Sequence, residues 1–325
     1  SNCLNIKTQA SSTMNLLINV HVVDDTNVGD LFSSPLKYFE FPQSTTTTID
    51  IRYLDQELAK IAQQLQNGSL GDYNCLCFIV GGGGVLFPRF VNNFVALQQF
   101  KAQYQNQIPI KIITWGIGQQ IYRTGLDRQH YYQDFDYSEY LQGFDLCGIR
   151  DFEHPNPNYH WVPCASCMSD QFDKPRSVQH EFVIFSHKKF EIKLDEFPRM
   201  TNGTHNFSEV LDFLGSGETI LTSSYHGAYW GTLLGRKVLA FPFSSKFYTL
   251  KHPAVNFVID SWQTSRRELK LLGKQLYDFG YSKHFSCSTK GWHDALVGCQ
   301  AYSNLLQAYR DRSQWYYRQV VSHLS

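Results

Sequence analysis

The chain has 325 residues, long for one hydrophobic core and comfortable for two domains of roughly 150 residues each. Lysine plus arginine and aspartate plus glutamate number 29 each, so no global basic field exists to recruit nucleic acid or an anionic membrane, and any anion must be bound locally. No apolar run approaches the roughly 20 residues that span a bilayer, and no apolar signal core follows a basic start; the expectation is a soluble, cytoplasmic protein with at most peripheral membrane contact.

Residues 1–13 are polar and read as a disordered extension. Residues 16–23 are β-branched and apolar, followed by the loop Asp24-Asp25-Thr26-Asn27-Val28-Gly29-Asp30 and a segment expected to be helical to about Phe39. The tract 44–48 is low in complexity. Leu54, Leu58, Ile61, Ala62 and Leu65 have helical spacing, closed by Asn67-Gly68. A buried strand is predicted over 75–80, a loop at Gly81 to Gly84, a helix over 90–104, a strand over 110–114 ending at Trp115-Gly116-Ile117-Gly118, and another over 146–149 ending at Arg150-Asp151.

Residues 173–180 are polar, contain Pro175 and carry no clear period, which places a domain boundary there. The expected division is 14–175 and 176–325. After it the alternation resumes, with strands over 181–186, 219–221 and 237–241 and helices over 207–214 and 225–234. A last helix over 295–324 is expected to pack across both domains. Strands alternating with helices predict an α/β fold with parallel sheets, and ligands in such sheets sit outside the carboxyl ends of the strands.

The candidate chemistry lies at those ends. Residues 220–230 read as a strand tipping into a helix at His226-Gly227; Ser223 and Ser224 suit the cap, and the free N–H groups of a first helical turn favour an anion. Ordinary caps beside a core histidine are the alternative. Gly82, Gly83 and their neighbours offer close backbone approach or only a tight turn; they match neither the dinucleotide nor the P-loop pattern. Asp30, after Asn27 and Gly29, is a candidate base or simply a helix cap. Arg150 suits a bidentate anion contact or a salt bridge to Asp151. Lys246 offers a point charge or a solvated surface residue, and His187-Lys188-Lys189 adds cationic character or is a solvated loop. Tyrosines 122, 131, 132, 137 and 140 form a sugar-stacking wall or core.

Eight cysteines show no disulfide framework. Cys164 and Cys167 form the only C-x-x-C, and Cys287 and Cys299 lack the compact spacing of a second ligand pair, so no metal is expected.

Taken in order, Asn27-Val28-Gly29-Asp30, Gly81 to Gly84, Trp115-Gly116-Ile117-Gly118, Arg150-Asp151, Val162 to Cys167, Tyr225-His226-Gly227 and Ser245-Lys246-Phe247 resemble the polysaccharide pyruvyl transferase family over roughly residues 15 to 250. The resemblance implies two Rossmann-like domains facing a cleft, similar to the GT-B architecture, with the first on the acceptor side and the second on the donor side. It implies transfer of the enolpyruvyl unit of phosphoenolpyruvate to two hydroxyls of a sugar or lipid-linked oligosaccharide acceptor, forming a cyclic ketal in surface polysaccharide or glycan assembly, with no cofactor. His226 would be the acid or phosphate ligand, Asp30 the base and Arg150 with Lys246 the anion clamp. Ser223, Ser224, Tyr225 and Gly227 would sit on the donor, and Asn27, Gly29, Gly82, Gly83, Trp115 and Gly116 in the acceptor cleft.

One departure bears on the donor. The family has an arginine two positions before the histidine; here Ser224 stands there, and losing a bidentate cation costs about 1.5–3 kcal/mol of anion binding. That favours the alternative of a GT-B-like glycosyltransferase using a nucleotide sugar, while a non-catalytic sugar-binding member of the fold is a third reading.

Overall fold

A computed structural model describes residues 14–259, 262–265, 268–271, 274–278 and 284–325. The stretch 1–13, read above as an extension, lies outside the described residues. Two parallel sheets organise the chain. The first contains β1 (Met14–His21), β2 (Ser44–Asp50), β3 (Tyr73–Val80), β4 (Gly83–Leu86), β5 (Ile110–Gln119), β6 (Leu146–Ile149) and β7 (Tyr159–Trp161), in the order β2-β1-β3-β5-β6-β7 with β4 on the far end of β5. Between these strands run α1 (Val28–Phe32), α2 (Leu54–Gln66), α3 (Val91–Tyr104), α4 (Arg128–Asp134) and α5 (Ser138–Leu141). The second sheet takes β8 (His180–Ser186), β10 (Arg199–Thr201), β11 (Gly217–Thr222), β12 (Lys237–Ala240) and β13 (Val255–Asn256), in the order β10-β8-β11-β12-β13, with β9 (Phe190–Ile192) outside it. Helices α6 (Phe207–Gly215) and α7 (Tyr225–Leu233) cover it, and α8 (Trp292–Ala295) and α9 (Leu305–Leu324) end the chain. The fold is α/β: two Rossmann-like halves facing a cleft, a GT-B-like arrangement.

Strands covered on both faces need apolar residues throughout rather than alternation, and β3 is buried continuously from Cys75 to Val80. Elsewhere local chemistry moved the element boundaries. The helix expected to reach Phe39 stops at Phe32, because Pro35 lacks an N–H and disfavours helix in the residue before it. The threonine tract is not featureless but the edge strand β2, whose threonines point outward while Ile49 is buried. The final helix begins at Leu305, ten residues later than its period suggested, behind a left-handed Asn304.

In each sheet the strand order reverses once, between β1 and β3 in the first and between β8 and β11 in the second. Those reversals open the crevices in which doubly wound sheets bind ligands. The loops after all four strands line one cavity, so the two crevices face each other.

Two sets of bonds join the halves. Ser245 Oγ donates to Gln119 Oε1 (2.6 Å) and accepts from Ile121 N–H (2.8 Å), while Thr249 Oγ donates to Asp151 (2.7 Å). Elsewhere Val28 N–H donates to the Asn202 carbonyl (3.1 Å) and Lys188 pairs with Asp24 (3.1 Å). Helix α9 adds a belt. Its Tyr309 packs in the second half with Tyr229 and Trp230, and its Tyr316 and Val320 pack under the first sheet against Leu17, Ile79 and Trp115.

Tyr316 is fully buried, its hydroxyl donates to the Thr114 carbonyl (2.5 Å), and any side chain at Gly148 would strike its ring at 2.5 Å. Tyr316→Ala should therefore destabilise by about 3–5 kcal/mol, Tyr316→Phe by about 1 kcal/mol, and Gly148→Val should match the alanine variant by displacing the helix. Denaturant unfolding of the three proteins checks this ordering.

Candidate active site

The cavity between the facing crevices has a volume of about 290 Å³, and its walls include Asn27, Asp30, Arg150, Ser224, Tyr225, His226 and Lys246. Residues far apart in sequence thus converge. Six of its side chains are basic (Arg52, Arg89, Arg150, Lys188, Lys189 and Lys246) and two are acidic, Asp24 and Asp30. Lys188 is neutralised by Asp24, and Arg52 by Asp50 outside the wall. In a chain without net charge, the remainder is a local positive field of the kind an anion requires.

On the first half, Asn27 caps α1, accepting from Asp30 N–H (3.3 Å) and donating from its own amide to the Asp30 carboxylate (2.9 Å). Asp30 is therefore held by the cap and is not itself the cap. Burial pushes its carboxyl up, against the pull of Lys246 and Arg150. Gly29 makes room for His226, whose ring lies where a side chain at that position would be. Gly83, at φ +97°, brings the backbone beside Asp30: a side chain there would come within 3.2 Å of its carboxylate. Gly82 lies behind α1 against Ser33 and does not line the cavity.

Arg150 follows β6 and is 3 % exposed. Its guanidinium stacks over the Tyr225 ring at 3.7 Å, and Nε and Nη1 have no hydrogen-bond partner among the described residues. The expected alternative, a salt bridge to Asp151, is absent: that carboxylate instead accepts from Gln119 N–H, the Tyr137 hydroxyl and Thr249 Oγ.

On the second half, α7 is buried at all nine positions, as befits a helix apolar on every side. Ser224 caps it through a bond from Gly227 N–H (3.2 Å). That bond alters the expectation for Gly227, whose α-carbon is also pressed against Thr222 and Phe185; it permits helix–strand packing rather than ligand approach. Ser223 likewise turns away from the cavity, bonding the Phe190 carbonyl and His187 N–H and so fixing the loop after β8. His226 is held neutral, its pKa well below the ordinary value because of burial and then the charges of Arg150 and Lys246. Lys246 is lowered to about 7 by burial and then Arg150, with Asp30 opposing.

Trp115 and Gly116 are not at the cleft. Because β5 runs on to Gln119 instead of stopping at Thr114, Trp115 is buried beneath α9 with Phe39 and Phe41, and Gly116 at φ +68° packs against Pro163. The residue at the true strand end is Gln120, which lines the cavity and whose amide oxygen lies 3.5 Å from Lys246 Nζ. Of the five tyrosines, Tyr122 alone lines the cavity; Tyr131, Tyr137 and Tyr140 are buried in the first half, and Tyr132 bonds the Phe152 carbonyl. The aromatic wall consists instead of Phe87, Phe90, Phe190 and Phe243 beside Tyr122, with Phe190 and Phe243 stacked at 3.8 Å. Nothing local distinguished these phenylalanines, or Arg89, from core and surface residues.

Cys164 and Cys167 are buried thiols, bonded respectively to Ser166 and His226 and to Ser313. Among the described residues no group of three or more histidine, cysteine or acidic side chains is disposed to hold a metal.

No family model matches the chain, and no curated protein matches it. Solved structures do. A MnaA–UDP complex from S. aureus is 11% identical, covering 75% of this chain and 85% of that one with a TM-score of 0.39. An ADP-heptose LPS heptosyltransferase II from E. coli is 12% identical (76% and 92%, TM-score 0.32), and a functionally uncharacterized protein from Klebsiella pneumoniae 14% (71% and 84%, TM-score 0.37).

Lys246 makes stability depend on pH. Between its folded-state pKa of about 7 and the ordinary lysine value of 10.5, the unfolded chain holds a proton that the folded chain does not, so this lysine's contribution rises with pH across that window. Wild type should gain more unfolding free energy between about pH 7 and about pH 9 than Lys246→Met does. Urea titrations at the two pH values measure the difference, and equal gains would mean that the lysine is charged and solvated.

Proposed function

We propose that this protein transfers the enolpyruvyl unit of phosphoenolpyruvate onto two hydroxyls of a sugar or lipid-linked oligosaccharide acceptor, as the resemblance to polysaccharide pyruvyl transferases implies. The observation that carries the reading is Arg150, a buried guanidinium with unpartnered N–H groups beside Lys246, His226 and Asp30 in a cavity of 290 Å³. A compact donor bearing both phosphate and carboxylate suits it in size and charge. The charge missing at Ser224 has substitutes in Arg89 and Lys189, which line the same cavity.

In the first step, C3 of the enol takes a proton from the Asp30 carboxyl, which burial favours in its protonated form, as the first hydroxyl oxygen bonds to C2; that hydroxyl's proton returns to Asp30. In the second, the C2–O bond breaks, phosphate leaves with the electron pair, the second hydroxyl oxygen bonds to C2, and its proton goes to the phosphate. Arg150 and Lys246 stabilise the charge on the departing phosphate, with neutral His226 a further hydrogen-bond partner.

A nucleotide sugar is the second reading. The stacked Phe190 and Phe243 beside Tyr122 favour it, because such a wall can hold a base as well as a sugar ring.

Thermal shifts with phosphoenolpyruvate, UDP, GDP and CMP separate the readings, since a ligand bound only by the folded state raises the melting temperature. Stabilisation by phosphoenolpyruvate alone is the expected result; stabilisation by one nucleotide alone would replace it with the second reading, and no shift with any would favour a non-catalytic sugar-binding role. Arg150→Met should weaken donor binding roughly 10- to 150-fold, the loss of a charge-assisted contact of about 1.5–3 kcal/mol. Asp30→Asn should leave binding within a few-fold while abolishing phosphate release.

Binding should also draw in protons. An anion beside Lys246 raises its pKa from about 7, so at a pH above that value the complex takes up a proton, and affinity falls as pH rises. Calorimetry in two buffers of different ionisation enthalpy measures the uptake directly. Lys246→Met should abolish it.

A further inference from the structure

His226 is reached by a chain of hydrogen bonds whose direction is fixed at its far end. The indole of Trp230 can only donate, and its Nε1 lies 2.9 Å from Ser166 Oγ. Ser166 Oγ lies 3.2 Å from Cys164 Sγ, and Cys164 Sγ lies 3.5 Å from His226 Nε2. Trp230 and Ser166 are fully buried, Cys164 is 1 % exposed and His226 7 %. A buried hydroxyl with an unused hydrogen is costly. Having accepted from the indole, Ser166 therefore places its own hydrogen on Cys164, the other polar side chain bonded to it. The thiol hydrogen in turn has His226 Nε2 as its acceptor. Reversing the last bond would leave Cys164 receiving two donors and giving its hydrogen to nothing.

We infer that Trp230, Ser166 and Cys164 are positioning residues that fix His226 as the neutral tautomer protonated at Nδ1. The ring makes no other hydrogen bond among the described residues, and its Nδ1 edge packs against Gly29, where a Cβ would come within 2.3 Å of it. His226 then meets a bound group as a hydrogen-bond donor from Nδ1, and the proton movements fall to other residues. This last consequence rests on the transferase reading; the tautomer itself does not.

The test is long-range proton–nitrogen NMR of protein labelled with ¹⁵N-histidine, with the His226 signals assigned by their loss in His226→Gln. Wild type should show a protonated Nδ1 and an unprotonated Nε2 across neutral pH. Cys164→Ala and Trp230→Phe should each produce a mixture of tautomers, and Cys164→Ser, which keeps a donor, should restore the single form. A wild-type ring protonated at Nε2, or at both nitrogens, overturns the inference, and so does a Cys164→Ala spectrum unchanged from wild type. If the alanine variant does not fold, the wild-type spectrum alone decides. The spectrum needs no donor, so failure of phosphoenolpyruvate turnover leaves this result standing. With an active donor, Cys164→Ala should lower kcat roughly tenfold with little change in KM, and Cys164→Ser should recover it.

Discussion

A buried guanidinium that lacks hydrogen-bond partners is among the more costly things a fold can hold, and the structure around Arg150 is organised by that constraint. The adjacent carboxylate, Asp151, would be the natural partner, yet its oxygens are taken by Gln119, Tyr137 and Thr249. Those bonds tie β5, the first half's core and the second half together. What remains for Arg150 is the face of Tyr225, the first residue of α7. Cation–π contact offsets part of the desolvation and leaves the N–H groups available.

The same charge propagates to its neighbours. Arg150 contributes to the lowered pKa of both His226 and Lys246 and opposes the upward push of burial on Asp30. Three groups that would ordinarily be fully charged or freely titrating are thereby coupled through one residue. Sites with perturbed groups in a cleft are where binding and catalysis concentrate, and here the perturbation has a single identifiable centre.

Much of this was legible in the sequence, for reasons that differ by residue. Strand ends followed by glycine, serine or a lone charge pointed to Asn27, Asp30, Arg150, Ser224 and His226, because in a parallel sheet all such ends lie on one side. Trp115 and Gly116 failed by the same logic: the apolar period of β5 does not reveal that the strand continues to Gln119, so its end was placed five residues early. Ser223 and Gly227 were misjudged because a cap and a ligand site use the same residue types, and only the partners, Phe190 and Ser224, tell them apart. The phenylalanine wall and Arg89 had no local signal at all. They reach the cavity through tertiary packing that a single sequence does not encode in any short pattern.

Helix α9 has a consequence for the order in which the molecule can be made. Its 20 residues follow the whole second sheet in sequence, yet Tyr316 and Val320 complete the underside of the first sheet. During synthesis, Leu17, Ile79 and Trp115 emerge before α9 and wait for it before that face is covered. Such a waiting apolar surface is the kind that chaperones recognise and that drives aggregation. By the same token the halves are not separable at the junction before β8: a fragment ending there would lack its own lid.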